Sequence, residues 1–497
     1  MRTKHHIRMA AILMATALTL TACGGQTPTL PESKTLTIGF TLEPPTLDFT
    51  IAADASIPQL LLYNVYETLV KVDSGGAIKP LLATSYEVSS DGTTYTFHLD
   101  PAAKFASGTA VDADAVIASL NRTRNATLAT LKAQMAVIDN LRAVDSHTVE
   151  VTLTQPSNFW LYDMTSSAGM IIDPASTDLA ADAKGSGPYM FGSWNHGDRI
   201  ILKKNPAYWG KAAPFDQVTF RYMSDANAVV SSMLSGDLDM IGQMTSPDAV
   251  PQFSDTTKYQ VVNGTTTGEV TLGFNHSKAL GNQLLRQAIC YAIDRKGLLD
   301  TVWGGYGTLI GSMVAPTDPF YEDLSGTYPY DPEKAKQLIA QAGVTNPTLS
   351  LRVPVVPYAT AAATFVASQL KQVGITVNVE ELDFNRWYTE VFTGGDYDMT
   401  IVAHMEPRDI VNFANPDYYW HYNNSAFQAL VKQADAAPTS DEFVKDMKQA
   451  AKTLAADAAA DWLFLFPNLV VARANITGIP LNSTSLSFDL TTISPKG

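Results

Sequence analysis

From residue 284 onward the apolar residues follow two alternating periods, and this alternation is the strongest constraint the sequence places on a fold. Helical spacing is read over 284–302, 332–342, 360–373 and 385–393, and strand spacing over 348–353, 375–381 and 397–403. Strands separated by helices predict βαβ units, and so an α/β sheet buried on both faces.

Upstream the grammar is mixed. Leu36–Phe40 alternates as a strand, and Pro44-Pro45 forbids a helix directly after it. Helical spacing is read from Ile57 to Val70. A hairpin is read between Tyr86 and Leu99 about Ser90-Asp91-Gly92, and another from Leu141 to Leu153. Asp112 is placed to cap a helix through Ala118. Strands follow at 200–203 and 218–222, then a helix over 227–235 ending at Gly236, a short strand at 239–241, and a strand at 270–275. An α+β unit thus precedes the α/β one, and two bodies meeting near residue 270 predict a cleft at the carboxyl ends of their strands.

The first residues set the compartment. Arg2, Lys4 and Arg8 precede the uncharged apolar run Met9–Thr21, which reads as a signal peptide over 1–22. The run is shorter than the roughly 20 residues that an ordinary spanning helix requires. Leu20-Thr21-Ala22-Cys23 resembles a bacterial lipobox, so Cys23 is the expected lipidation site and 23–34 a flexible tether. Acyl chains there would hold the mature protein on the outer face of the cell membrane. The second cysteine, Cys290, lies in an apolar run and reads as a small buried hydrophobe.

The formal net charge is −15; without the three leader cations, 31 basic face 49 acidic residues, or about −18. That sign opposes binding to nucleic acid or to anionic lipid.

Eight short motifs occur in order along the mature chain: Tyr66-Glu67-Thr68-Leu69-Val70, Ser90-Asp91-Gly92-Thr93, Lys104-Phe105 with Gly108-Thr109, Gly185-Ser186-Gly187-Pro188-Tyr189, Asn205-Pro206-Ala207-Tyr208-Trp209, Gly273-Phe274-Asn275, Arg286 to Arg295, and Tyr330-Asp331-Pro332-Glu333-Lys334-Ala335. Together they resemble the oligopeptide-, dipeptide- and nickel-binding proteins of bacterial ABC importers. The resemblance implies a two-lobed periplasmic-binding-protein-like fold with an extra α+β subdomain in the first lobe. On that reading 35–270 plus 471–497 form the first lobe, with the subdomain over about 60–180, and 271–470 form the second. It also implies a monomer that closes on a short peptide, or on a nickel chelate, opine, oligosaccharide or other polar solute, and delivers it to permease subunits. No cofactor is expected. Asp294 and Arg295 read as a helix-end ion pair.

The segment His404-Met405-Glu406-Pro407-Arg408-Asp409 follows a predicted strand and so faces the cleft. In peptide-binding relatives the matching loop supplies an acidic partner for an α-ammonium, a role open to Glu406 or Asp409, with Arg408 available for a carboxylate. An internal ion-pair network is the alternative for these three. Trp387, Tyr388, Tyr419 and Trp420 supply aromatic walls. Glu43, Tyr63, Ser166, Ser167 and Gly169 are the first-lobe candidates, the last three as backbone on which an extended peptide can add as a strand. His404 and His421 belong to no spaced metal-ligand motif.

The sequence contains no His-Glu-x-x-His, no Gly-x-Ser-x-Gly and no Gly-x-x-x-x-Gly-Lys. A binding protein is expected, not an enzyme.

Overall fold

The computed structural model describes residues 34–496; the leader, Cys23 and most of the tether lie outside them. A ten-stranded sheet runs through the whole described chain. Its strands, in chain order, are β1 (Thr35–Phe40), β2 (Tyr189–Asn195), β3 (Arg199–Lys204), β4 (Gln217–Tyr222), β5 (Met240–Ile241), β6 (Tyr259–Phe274), β7 (Thr348–Pro354), β8 (Thr376–Leu382), β9 (Met399–His404) and β10 (Ala460–Arg473). Their spatial order is β8-β7-β9-β6-β10-β5-β1-β4-β3-β2.

The two long strands join the lobes. Tyr259–Gly264 of β6 pair with Asn468–Arg473 of β10, whereas Glu269–Gly273 pair with Ala460–Leu465, and the register breaks between Thr265 and Glu269. Val470 and Ala472 belong to the apolar core built on β1, β3 and β4. Val270, Leu272, Phe274 and Phe464 belong to the core built on β7, β9 and the helix Pro357–Gln372. Each strand therefore passes from one body to the other, and the bulged stretch 265–268 marks the crossing.

A four-stranded antiparallel sheet, Ala83–Val88, Thr94–Leu99, Ile138–Asp145 and Thr148–Leu153, packs into the first core. Both predicted hairpins are in it. Asp112 accepts from Ala115 N and caps a helix that runs to Arg124, beyond the predicted end at Ala118. The chain's last segment returns to the first body, where Leu490 N donates to Asn64 Oδ1 and Leu490 and Ile493 are buried.

Three local expectations are corrected. The helix read over Ile57–Val70 stops at Leu61, because Tyr63 adopts a left-handed φ of 64° and the chain turns into a strand at Val70–Val72. The helix read over 284–302 is two, Gln283–Ala292 and Arg295–Trp303, since the Asp294 carboxylate accepts from Gly297 N and starts the second one. Asp294 and Arg295 are not an ion pair: Arg295 donates to Ile310 O, Trp462 O and Ser325 O and lies 3.8 Å from Asp461. Cys290 is free and buried. No helix among the described residues is long and apolar enough to cross a membrane.

Candidate ligand-binding cleft

The strand directions define the cleft. β1, β4 and β5 are mutually parallel, and β5 pairs with β10 at Val471 and Ala472, so their carboxyl ends run towards the crossing. In the other body β9 ends at His404, opposite Glu269, and β7 lies parallel to it. The carboxyl ends of both strand sets therefore face one another across residues 265–268.

A cavity of about 460 Å³ lies between these ends. Asn227, Thr245, Ser246 and Gln252 line it from the first body, and Trp303 and Tyr358 from the second. Its polar lining is mostly amide and hydroxyl, with Asp248 the one acid and no lysine or arginine. Another hollow, of about 280 Å³ at Thr257–Tyr259 and Arg473–Asn475, lies at the far end of β6, away from the facing strand ends.

β9 offers backbone beside this cavity. Its pairing with β7 is confined to Leu351 and Met399, so beyond Met399 the outer edge of β9 has no strand against it. On that edge Ala403 N donates to the Tyr358 hydroxyl at 2.9 Å. At the crossing Thr267 Oγ1 donates to Met405 O, and a Cβ placed on Gly268 would meet Met405 Sδ at 2.9 Å. The Met405 loop thus rests directly on the bulge.

The rest of that loop divides into paired and unpaired charge. Arg408, at a left-handed φ of 62°, donates through Nε to Asp318 Oδ1 at 3.0 Å, and its guanidinium lies 3.7 Å from the ring centre of Tyr162 in the first body. His404 is held between the Tyr419 hydroxyl, 3.0 Å from Nε2, and Asp409, 3.4 Å from Nδ1. Burial pushes the carboxyls of Asp318 and Asp409 above the usual range, against the pull of Arg408 and of His404 respectively. Glu406 is exposed. The internal network weighed for this loop therefore holds Arg408 and Asp409 and leaves Glu406 free.

Most of the predicted aromatic wall is core. Trp420 stacks on Phe413 at 3.9 Å, Tyr419 is buried beside it, and the Trp387 indole donates to Thr400 Oγ1. Tyr388 is half exposed and stacks on Phe392. In the first body Glu43 accepts from Trp194 Nε1 and Gly197 N, so it ties down its own lobe. The Tyr63 hydroxyl is buried and donates to Thr165 O. The backbone expected to receive an added strand is instead a tight turn: Ser167–Gly169 is 3-10 helical, Ser166 Oγ bonds Asp163 O, and a Cβ at Gly169 would strike Met164 O. The residues that the sequence reading left out are Tyr358, Trp303, Asn227, Thr245, Ser246, Asp318 and Glu269. The strand-end rule, applied to the ends of β5 and β7 as it was to β9, points to the segments holding Thr245, Ser246 and Tyr358.

Beside the crossing the two bodies are bridged. Asn158 Nδ2 of the first faces Ala434 O, Asp435 O and Ala437 O of the second at 3.1, 3.0 and 2.9 Å, and Ser157 Oγ donates to Asp435 Oδ1 at 2.7 Å. Such contacts join opposed lobes across a cleft, and residues 77–428 match the model of the bacterial extracellular solute-binding proteins, family 5 middle region.

The chain belongs to that family.

A glutathione-binding protein of Pectobacterium atrosepticum is 30% identical to this family member over 350 residues, 68% of each chain. The probable D,D-dipeptide-binding periplasmic protein of Escherichia coli K12 is 28% identical over 482 residues, 90% of this chain and 91% of that one. Among solved structures, the periplasmic binding protein AgaA of A. tumefaciens R10, in complex with agropinic acid, superposes with a TM-score of 0.78 at 26% identity, over 93% of this chain and 99% of that one. This solute-binding protein accordingly has the two-lobed fold of its family. Among its described residues no group of three His, Cys, Asp or Glu side chains is placed to hold a metal ion.

Proposed function

We propose that this protein captures a short peptide outside the cytoplasm for an ABC importer, as a monomer anchored through lipidated Cys23 and without catalysing a reaction. The observation that carries the reading is the cavity between opposed strand ends, whose volume lies within the roughly 300–1,000 Å³ of small-molecule sites. The adjoining edge of β9 supports it, because an extended peptide satisfies such an edge with its own main chain. Glu406, exposed at the end of β9, is the acceptor for the peptide's α-ammonium. The lobes, 35–270 plus 471–497 and 271–470, then close by bending at the bulge in β6.

A second reading, an opine or similar polyol-bearing solute, is favoured by the neutral amide and hydroxyl lining and by the likeness to the agropinic-acid complex. Thermal-shift measurement across dipeptides to tetrapeptides, opines, oligosaccharides and nickel chelates decides between them, since a ligand that binds only the folded state raises the melting temperature by mass action. Stabilisation by peptides, reduced by Glu406→Gln, is the expected result. Stabilisation by opines alone replaces the peptide with the second reading. Turnover of a bound peptide ends the transport reading. Mass spectrometry of the mature N-terminus, with Cys23→Ala as control, checks the anchor.

A further inference from the structure

At the crossing stands a carboxylate that no contact explains. Glu269 is the first β6 residue beyond the bulge, paired in register with His404, and its side chain is 2% exposed. Its Oε2 has no hydrogen-bond partner among the described residues, and Asp409, 5% exposed, has only His404, whose Nδ1 lies 3.4 Å from its Oδ2. Asp318 and Glu406 are the other acids near Glu269. Against these four carboxylates the cluster holds one guanidinium, that of Arg408, whose Nε is committed to Asp318, and one imidazole, His404, engaged by Tyr419 and Asp409. Across the seam it faces Tyr162 and Asp163, which bring no positive charge.

Buried acids without matching cations are costly only in the charged form: in the empty protein burial and one another's charge favour the protonated state of Glu269 and Asp409, and an incoming cation can take the place of those protons. Such a cation would come from outside the chain, and since no group of three His, Cys, Asp or Glu among the described residues is placed to hold a metal ion, an organic cation fits better. The cluster lies at the end of β9, where Arg408 of the second body meets Tyr162 of the first.

We propose that Glu269 and Asp409 form a subsite for a cationic group of the ligand, an ammonium or guanidinium, separate from the α-ammonium assigned to Glu406. This rests on the peptide-capture reading and deepens it: the preferred peptide carries a basic side chain.

Calorimetric titration of the full-length protein with Gly-Lys and Gly-Arg, set against Gly-acetyl-lysine and Gly-norleucine, tests the subsite without altering the protein. Charge-assisted hydrogen bonds predict a Kd lower by roughly ten- to a hundredfold for the basic peptides. Glu269→Gln, and independently Asp409→Asn, reduce that preference to a few-fold; a melting curve for each variant establishes that it is folded. Equal affinity for basic and neutral peptides overturns the subsite and leaves peptide capture standing, as does a preference that survives both substitutions. Failure of every peptide to bind overturns both.

Discussion

The Glu67 carboxylate accepts a hydrogen bond from the Tyr208 hydroxyl at 2.6 Å, deep in the first lobe. Trp209 Nε1 and Ser186 Oγ donate to the same group at 3.1 and 2.8 Å. Three of the family motifs, far apart in sequence, are thereby tied at one point. Three donors do not offset complete burial, which pushes the Glu67 carboxyl up to about 7. The folded state then holds a proton that the unfolded chain releases near its ordinary value, so the group stabilises the fold fully at low pH and loses that contribution as pH rises through about 7. Denaturation measured from pH 5 to 8 should show a decline to which Glu67 adds at most about 3 kcal/mol for a shift of this size, and Glu67→Gln should remove that share while the raised carboxyls of Asp163 and Asp461 keep theirs.

Arg408 and Asp318 form a buried pair, 8% and 9% exposed. Removing the guanidinium leaves Asp318 uncompensated, so Arg408→Ala should cost about 3–5 kcal/mol in chemical denaturation. Adding Asp318→Ala should recover part of the loss. A double mutant no more stable than additivity allows would show that the pair is not coupled.

Asn158 makes its three contacts only while the lobes are together. Asn158→Ala should therefore speed ligand release, roughly five- to thirtyfold for a loss of about 1–2 kcal/mol, with little change in the melting of the unliganded protein. Stopped-flow displacement reads the rate directly.

Gly187 packs against the backbone of the first lobe, where an added Cβ would come within 2.4 Å of Asn64 O. Backbone cannot yield as a side-chain tip can. Gly187→Ala should destabilise by about 1–3 kcal/mol, while Gly108→Ala, with nothing within 4 Å, feels only its left-handed φ of 88°. Thermal melts of the two variants compare crowding with backbone strain.

What could be read from the sequence was local. Hairpins, the cap Asp112, the glycine stop at Gly236 and the strand–helix alternation after residue 284 all depend on contacts within a few residues, and periodicity records such contacts. The same local signals read β6 only as its last residues and left β10 unassigned, because β6 turns from partly exposed to buried along its length and β10 is buried on both faces almost throughout, so neither shows a single alternating period. In the candidate site, sequence position placed the loop after β9 at the cleft, but not the fate of each side chain in it.

The sequence by itself determined the secondary-structure grammar, the family and the loop at which to look for a ligand. Only the tertiary structure decided that Arg408 is taken by Asp318, 90 residues away, that Trp420 is core, and that Glu269 stands unpaired at the crossing. The reason is physical: a side chain's role follows from which partners the fold brings within about 3 Å of it, and no spacing along the chain encodes those partners.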